Sequence, residues 1–146
     1  MIDINSLDKL IEDSENEILN IRPDTEKKII WANQKNVKTK TSLLFIHGFS
    51  ATRAELNPVI EILGKELNAN IFFTRLKGHG LDGESLAEAT FDDWMMDMKE
   101  AIEIGNIIGD KLILIGCSTG CSLIHANLQC TENALAIIYV LKIRMN

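Results

Sequence analysis

The sequence predicts an α/β protein with a mostly parallel sheet and helices on both of its faces. Short apolar segments alternate along the chain with segments whose apolar residues recur at the spacing of an amphipathic helix. One apolar segment, residues 111–117, is almost continuously apolar, which is typical of a strand buried on both faces. Strands that alternate with helices are joined by right-handed crossovers, so we expect neighbouring strands to run parallel.

The first element is an amphipathic helix at 5–20. Its apolar residues lie among acidic ones, Asn5 or Ser6 can cap its start, and Pro23 lies beyond its end. We therefore expect residues 1–25 to form an N-terminal amphipathic helical segment. The strands are expected at 28–32, 42–46, 70–76, 111–117 and 134–141, and the further helices at 55–67, 91–108 and 119–129.

Length and composition predict a single soluble domain. A chain of 146 residues holds one core and is too short for two, so we expect one domain over 1–146. A net charge of -6 without a basic cluster argues against nucleic acid as a partner. The acidic stretch 3–26 and the basic stretch 27–40 are expected to be solvated surfaces that can face each other, rather than binding sites.

The cysteines and the N-terminus favour a cytoplasmic protein. Cys117, Cys121 and Cys130 are odd in number and lack CxxC spacing, so we expect neither a zinc site nor a disulfide framework. The N-terminus lacks the basic and apolar regions of a signal peptide. The longest apolar run, 134–141, is far too short to span a membrane.

Three glycine-containing motifs follow predicted strands, at 47–50, 78–80 and 116–120. Groups that bind or react in parallel sheets lie at the carboxyl ends of the strands, so these motifs are the candidate site. The third motif has the pattern G-x-S-x-G and stands between an apolar strand and a helix. That context makes the pattern specific for a catalytic serine.

Ser118 is the candidate nucleophile within this third motif. A sharp turn there strains the backbone and lifts the side chain above the sheet, so the residues two before and two after must be tiny. Gly116 and Gly120 meet this requirement. Free N–H groups and the dipole at the start of the following helix favour negative charge near Ser118. The alternative is a plain glycine-containing turn between a strand and a helix.

Taken together, the motifs resemble those of the α/β-hydrolases, in the branch of single-domain carboxylesterases, monoacylglycerol lipases and serine aminopeptidase-like enzymes. The matching features are the strand that ends in His47-Gly48-Phe49, the loop 75–80, Phe91 and Trp94 at the start of a helix, and the turn around Ser118. They come in the family's order and at about its spacing. The resemblance covers residues 29–141, the N-terminal portion of the family's fold.

The resemblance implies an oxyanion hole made by the backbone N–H groups of Thr119 and Phe49. Two such donors stabilise the negative oxygen of a tetrahedral intermediate. The Phe49 side chain can also form a wall of the acyl pocket. The resemblance further implies that His47, next to Gly48, supports this loop through hydrogen bonds rather than acting as a base.

The other two histidines are also poor candidates for a catalytic base. The glycines beside His79 favour a tight turn over a catalytic role. His125 follows Ser118 by two helical turns, which places it far from the hydroxyl. In the family the triad acid and histidine come after the nucleophile, but this sequence offers only Glu132 and His125 there, and neither follows a later strand.

We therefore expect an incomplete domain without the triad acid and histidine, the product of a truncated or frame-shifted gene, with little activity. The alternatives are a non-catalytic binding module and a fragment completed by another polypeptide. The predicted chemistry is hydrolysis of a small-molecule carboxylic ester, less readily an amide, through an acyl-enzyme on Ser118, without metal or cofactor. The apolar strand 134–141 lacks the strand that covers it in the family, so we expect self-association through this edge.

Overall fold

The computed structural model describes residues 2–132 and 134–140, and a five-stranded sheet lies at its centre. The strands are β1 (Lys28–Ile30), β2 (Thr39–Ile46), β3 (Asn70–Phe73), β4 (Gly109–Cys117) and β5 (Ala134–Val140). Their order across the sheet is β1-β3-β2-β4-β5. β3, β2, β4 and β5 run parallel, whereas β1 pairs antiparallel with β3. The predicted, mostly parallel sheet is thus confirmed.

Helices lie on both faces of this sheet. They are α1 (Leu7–Asn16), α2 (Val59–Glu66), α3 (Gly83–Glu88), α4 (Phe91–Ile108) and α5 (Thr119–Ala126), with short 3₁₀ turns at Ile4–Ser6, Arg53–Leu56 and Leu128–Cys130. Buried residues of α1, α4 and α5 pack against one face, and Ile60 of α2 packs against the other. None of the described helices is long and apolar enough to cross a membrane.

Each face of the sheet carries its own apolar cluster because side chains alternate along a strand. On β2, Leu44 and Ile46 join the cluster under α1, α4 and α5, whereas Leu43 and Phe45 join the cluster under α2. All four side chains are fully buried. Burial on both faces is the physical reason why the apolar run of this strand is nearly continuous.

The helix predicted at 91–108 has those bounds in the structure because its start carries strong local signals. The Thr90 side chain accepts a hydrogen bond from the Asp93 N–H, and the Asp93 carboxylate accepts one from the Thr90 N–H. This reciprocal capping satisfies two donors that the first turn would otherwise leave unpaired.

Other predicted boundaries were wrong. The helix predicted at 55–67 is split, because proline disfavours the helical conformation of the residue before it and Asn57 is extended at φ -65° and ψ 134°. The N-terminal helix ends at Asn16 instead of residue 20, and Leu19 beyond it is 80% exposed. α3 was not predicted, although Asp82 caps it by accepting from the Ser85 N–H.

The ends of several further elements also differ from the prediction. The strands predicted at 28–32 and 70–76 end at Ile30 and Phe73, the strand predicted at 42–46 begins at Thr39, and the helix predicted at 119–129 ends at Ala126. Leu141, the last residue of the predicted strand 134–141, lies outside the described residues. The acidic and basic stretches of the N-terminal region meet where Lys35 contacts Asp8 at 3.1 Å.

Candidate active site

Ser118 stands on a sharp turn between β4 and α5. Its backbone has φ 50° and ψ -111°, a left-handed conformation that residues other than glycine rarely adopt. The residue is exposed. A Cβ on Gly120 would lie 2.2 Å from the Ile46 carbonyl oxygen, and one on Gly116 would lie 2.8 Å from the Cys121 nitrogen. Neither position has room for a side chain, which is the requirement that the sequence predicts for this turn.

The loop at 47–50, which follows β2, passes directly beside Ser118. A Cβ on Gly48 would lie 3.3 Å from the Ser118 Cβ and 3.2 Å from Oε1 of Glu55. The Glu55 carboxylate also accepts a hydrogen bond from the Gly48 N–H at 2.7 Å. Sequence reasoning missed Glu55, because the only signal is its place in the loop that leads to α2, where an acidic residue is ordinary.

The two predicted oxyanion-hole donors both lie at this turn and loop. Thr119 is the first residue of α5, where backbone N–H groups lack partners within the helix. Phe49 is the exposed residue after Gly48. In the part of the chain that the structure describes, neither N–H donates a hydrogen bond to another protein group.

His47 is fully buried and both of its ring nitrogens bind the backbone. Its Nδ1 donates to the Gly48 carbonyl oxygen at 2.9 Å, and its Nε2 accepts from the Leu76 N–H at 3.2 Å. Burial lowers the pKa of His47 to about 4, so the ring is neutral at physiological pH. The imidazole joins the end of β2 to the segment after β3 and has no nitrogen left for a proton from Ser118.

His79 is also buried and bound to the backbone. Its Nε2 accepts from the Ser50 N–H at 3.2 Å, and its Nδ1 donates to the Lys77 carbonyl oxygen at 3.2 Å. Burial lowers the pKa of His79, and the nearby Arg75 guanidinium lowers it further, although the hydrogen bonds to backbone act in the opposite direction. His79 therefore holds the loop at 47–50 at Ser50, whereas Glu55 holds it at Gly48.

Aromatic rings line the surface next to this loop. Phe49 meets His79 edge to face at a centroid distance of 6.2 Å and Trp94 at 6.3 Å. The Trp94 Nε1 donates to the Lys77 carbonyl oxygen at 3.0 Å, which anchors the ring. The Phe49 side chain is 58% exposed, so it can contact a bound apolar group.

The remaining histidine and Cys121 lie on α5, the helix that follows Ser118. His125 lies in the last turn of α5 and is exposed. The Cys121 Sγ contacts the Gly116 carbonyl oxygen at 3.1 Å. The described residues contain no group of three or more His, Cys, Asp or Glu that could hold a metal ion.

Comparison with known proteins identifies the fold. No protein-family model and no curated protein matches the sequence, but 33 chains of solved structures match. One of them comes from a study of LipS and LipT, described as two metagenome-derived lipolytic enzymes that increase the diversity of known lipase and esterase families. Its TM-score is 0.71 at 24% sequence identity.

This likeness covers 86% of the present chain and 49% of the solved chain, so the present chain spans about half the length of that structure. At this level of identity the likeness establishes the fold. The chain therefore has an α/β fold similar to that of a lipolytic enzyme. That the chain is a hydrolase, and which branch of the hydrolases it resembles, stay predictions.

Proposed function

We propose that this chain carries the nucleophile portion of a serine hydrolase that acts on a carboxylic ester, less readily on an amide. The observation that carries the proposal is the turn at Ser118, whose strained backbone exposes the hydroxyl between two glycines that have no room for a side chain. A glycine-containing turn without a catalytic role does not require a serine whose backbone has a positive φ. The cost of holding that conformation favours a functional turn.

In the proposed reaction, the Ser118 Oγ attacks the carbonyl carbon of the ester while a base accepts its proton. The carbonyl oxygen becomes negatively charged and receives hydrogen bonds from the Phe49 and Thr119 N–H groups. The C–O bond to the leaving alcohol then breaks, the alcohol takes up the proton, and water hydrolyses the acyl-enzyme. These steps need neither a metal nor an organic cofactor.

We also propose that this chain hydrolyses esters only slowly. All three of its histidines are described, and none is available to Ser118: His47 and His79 bind backbone groups, and His125 lies at the far end of α5. A serine hydroxyl without an oriented base is a weak nucleophile. In the serine protease subtilisin, loss of the serine or the histidine costs about a millionfold in turnover.

The finer assignments follow from the same motifs. We propose that the serine hydrolase belongs to the carboxylesterase, monoacylglycerol lipase and serine aminopeptidase-like branch, that residues 1–146 form one domain, and that the protein is cytoplasmic. Support for the branch comes from Phe49 and Trp94, which contact each other beside the loop at 47–50. An apolar wall there suits an acyl chain.

A fluorophosphonate probe tests the role of Ser118, because it reacts with an activated serine whatever the natural substrate is. We expect slow labelling confined to Ser118, driven by the two backbone donors and the helix N-terminus alone. Ser118→Ala should remove the label. Ser122→Ala, which changes an exposed serine on the same helix, should leave it unchanged.

Two results would change this proposal. Equal labelling of the wild-type chain and Ser118→Ala would exclude Ser118 as the nucleophile. Rapid, stoichiometric labelling of Ser118 would mean that a base is supplied, and substitution of His47 or His79 would separate an internal base from one on another polypeptide.

A second proposal is association through β5, either with another copy of the chain or with a polypeptide that completes the sheet. Within the described residues β5 pairs on one side only, and it exposes Leu135 (59%), Ile138 (40%) and Tyr139 (47%). An exposed apolar edge strand pairs readily with other chains. We expect sedimentation velocity to show dimers or larger species, and Leu135→Lys to favour the monomer.

Met96→Lys is the matched control for this experiment, because Met96 is an exposed apolar residue on α4 (69%) and not part of the edge strand. It should sediment like the wild-type chain. A wild-type chain that remains monomeric at high concentration and melts cooperatively would contradict association through β5.

A further inference from the structure

The N-terminal helix α1 is joined to the loop after β3 by a buried ion pair. Glu15 of α1 accepts two hydrogen bonds from Arg75, from Nε to Oε2 at 2.8 Å and from Nη2 to Oε1 at 2.9 Å. The side chains are 7% and 3% exposed, respectively. This two-pronged geometry fixes the plane and direction of the guanidinium, which a single contact would leave free to rotate.

The same guanidinium continues toward the candidate active site. Arg75 Nη1 donates to the His79 carbonyl oxygen at 3.2 Å, and the His79 ring in turn accepts from the Ser50 N–H. Ser50 directly follows Phe49 and has a left-handed backbone with φ 58°. A continuous series of contacts therefore runs from Glu15 to the residue beside the Phe49 N–H.

The charge of this pair depends on both partners. Burial raises the pKa of Glu15, but hydrogen bonds from Arg75 and from the Lys27 N–H outweigh that effect and hold the pKa below its usual value. Glu15 is thus ionised and balances the buried guanidinium. If the Glu15 charge were removed, Arg75 would be a buried cation without a full partner, and it would turn toward water and release the His79 carbonyl.

We propose that Glu15 is a positioning residue for the loop at 47–50, acting through Arg75 and His79 to fix the direction of the Phe49 N–H. This inference rests on the proposed function, since it assigns that N–H to the oxyanion hole. Glu15 does not touch a substrate in this proposal. Its role gives the N-terminal helix a part in building the site, although the helix lies outside residues 29–141, whose motifs resemble those of the hydrolases.

The test measures the loop directly and uses no substrate or serine probe. In ¹⁵N-labelled protein, amide hydrogen exchange reports the Ser50 N–H, and the ring ¹⁵N shifts of His79 report which nitrogen carries the proton. In the wild-type chain the proton is expected on Nδ1, because Nε2 is the acceptor from Ser50. Core amides of β4 provide the internal reference for global unfolding.

Glu15→Gln should speed exchange of the Ser50 N–H at least tenfold relative to the β4 amides, and should shift the His79 ring toward a mixture of its two tautomers. Arg75→Lys keeps the positive charge but loses the bidentate hydrogen bonds to Glu15, so it should have the same two effects. If Glu15→Gln does not fold, Arg75→Lys tests the proposal in its place. Glu12→Gln, on the exposed side of α1, should change neither signal.

Ile11→Ala separates positioning from simple docking of the helix. Ile11 is a buried residue of α1 that packs in the apolar core. Its side chain is apolar and therefore takes no part in the hydrogen bonds from Glu15 to Ser50. It should accelerate exchange at Ser50 and in β4 equally. The proposal is overturned if Glu15→Gln and Arg75→Lys leave both Ser50 and His79 unchanged, or if Ile11→Ala changes them in the same selective way. Failure of Ser118 to react with the probe would leave these results intact.

Discussion

Acid should destabilise this fold through His47, and the structure allows the size of the effect to be worked out. The ring is fully buried, both nitrogens are bound to backbone, and burial lowers its pKa to about 4. In the unfolded chain the pKa of a histidine is about 6.5. Between these two values the unfolded chain binds a proton that the folded chain does not, so the free energy of unfolding decreases as the pH falls.

The stabilising contribution is complete above pH 6.5 and is lost progressively as the pH falls toward 4. With about 1.36 kcal/mol per unit of pKa, lowering the pH from 7.5 to 5.5 should reduce the free energy of unfolding by about 1 kcal/mol through His47 alone. At pH 4.5 the loss should reach about 2 kcal/mol. His79 adds to the same trend, because its pKa is also lowered.

Urea unfolding at pH 7.5 and 5.5 measures this effect. His47→Gln is expected to be less stable at both pH values, but its free energy of unfolding should fall by about 1 kcal/mol less than that of the wild-type chain. His125→Gln, which removes an exposed imidazole from α5, should retain the wild-type pH dependence. A His47→Gln chain that loses stability with acid as steeply as the wild type would refute the reasoning.

Three further predictions concern two glycines and the cap of a helix. Gly120→Ala should destabilise the fold by about 3 kcal/mol or more, because its Cβ would stand 2.2 Å from the Ile46 carbonyl oxygen. Gly83→Ala, with nothing within 4 Å of the new Cβ, should instead stabilise the fold by about 0.5 kcal/mol, and thermal unfolding followed by circular dichroism compares the two. Thr90→Ala should cost about 1 kcal/mol by removing the cap of α4, whereas Thr90→Ser keeps the hydroxyl and should cost less. Equal losses for both Thr90 variants in urea unfolding would contradict the capping role.

The sequence predicted the order and type of most elements because their signals are local. The helix at Phe91–Ile108 has a periodic apolar face and a capping pair within four residues, and its boundaries were right. Where a local signal was overlooked, the prediction failed: Pro58 divides the helix expected at 55–67, and the Asp82 cap of α3 went unnoticed. The length of α1 was overestimated because a periodic pattern does not say where burial stops.

At the candidate site, the sequence by itself determined the turn. The pattern from Gly116 to Gly120 lies within five consecutive residues, so the requirement for two tiny neighbours of Ser118 can be stated without a fold. The same holds for the Thr119 N–H, because it begins the helix that follows the serine.

Only the tertiary structure decided what surrounds that turn. Glu55 lies beside Gly48, and the rings of His47 and His79 form hydrogen bonds with backbone groups. Glu15 binds Arg75, which is 60 residues away in the sequence. Such contacts join side chains to partners on other strands and loops, and no periodicity or spacing records them. Their geometry arises only when the parallel strands place the ends of β2, β3 and β4 at one edge of the sheet.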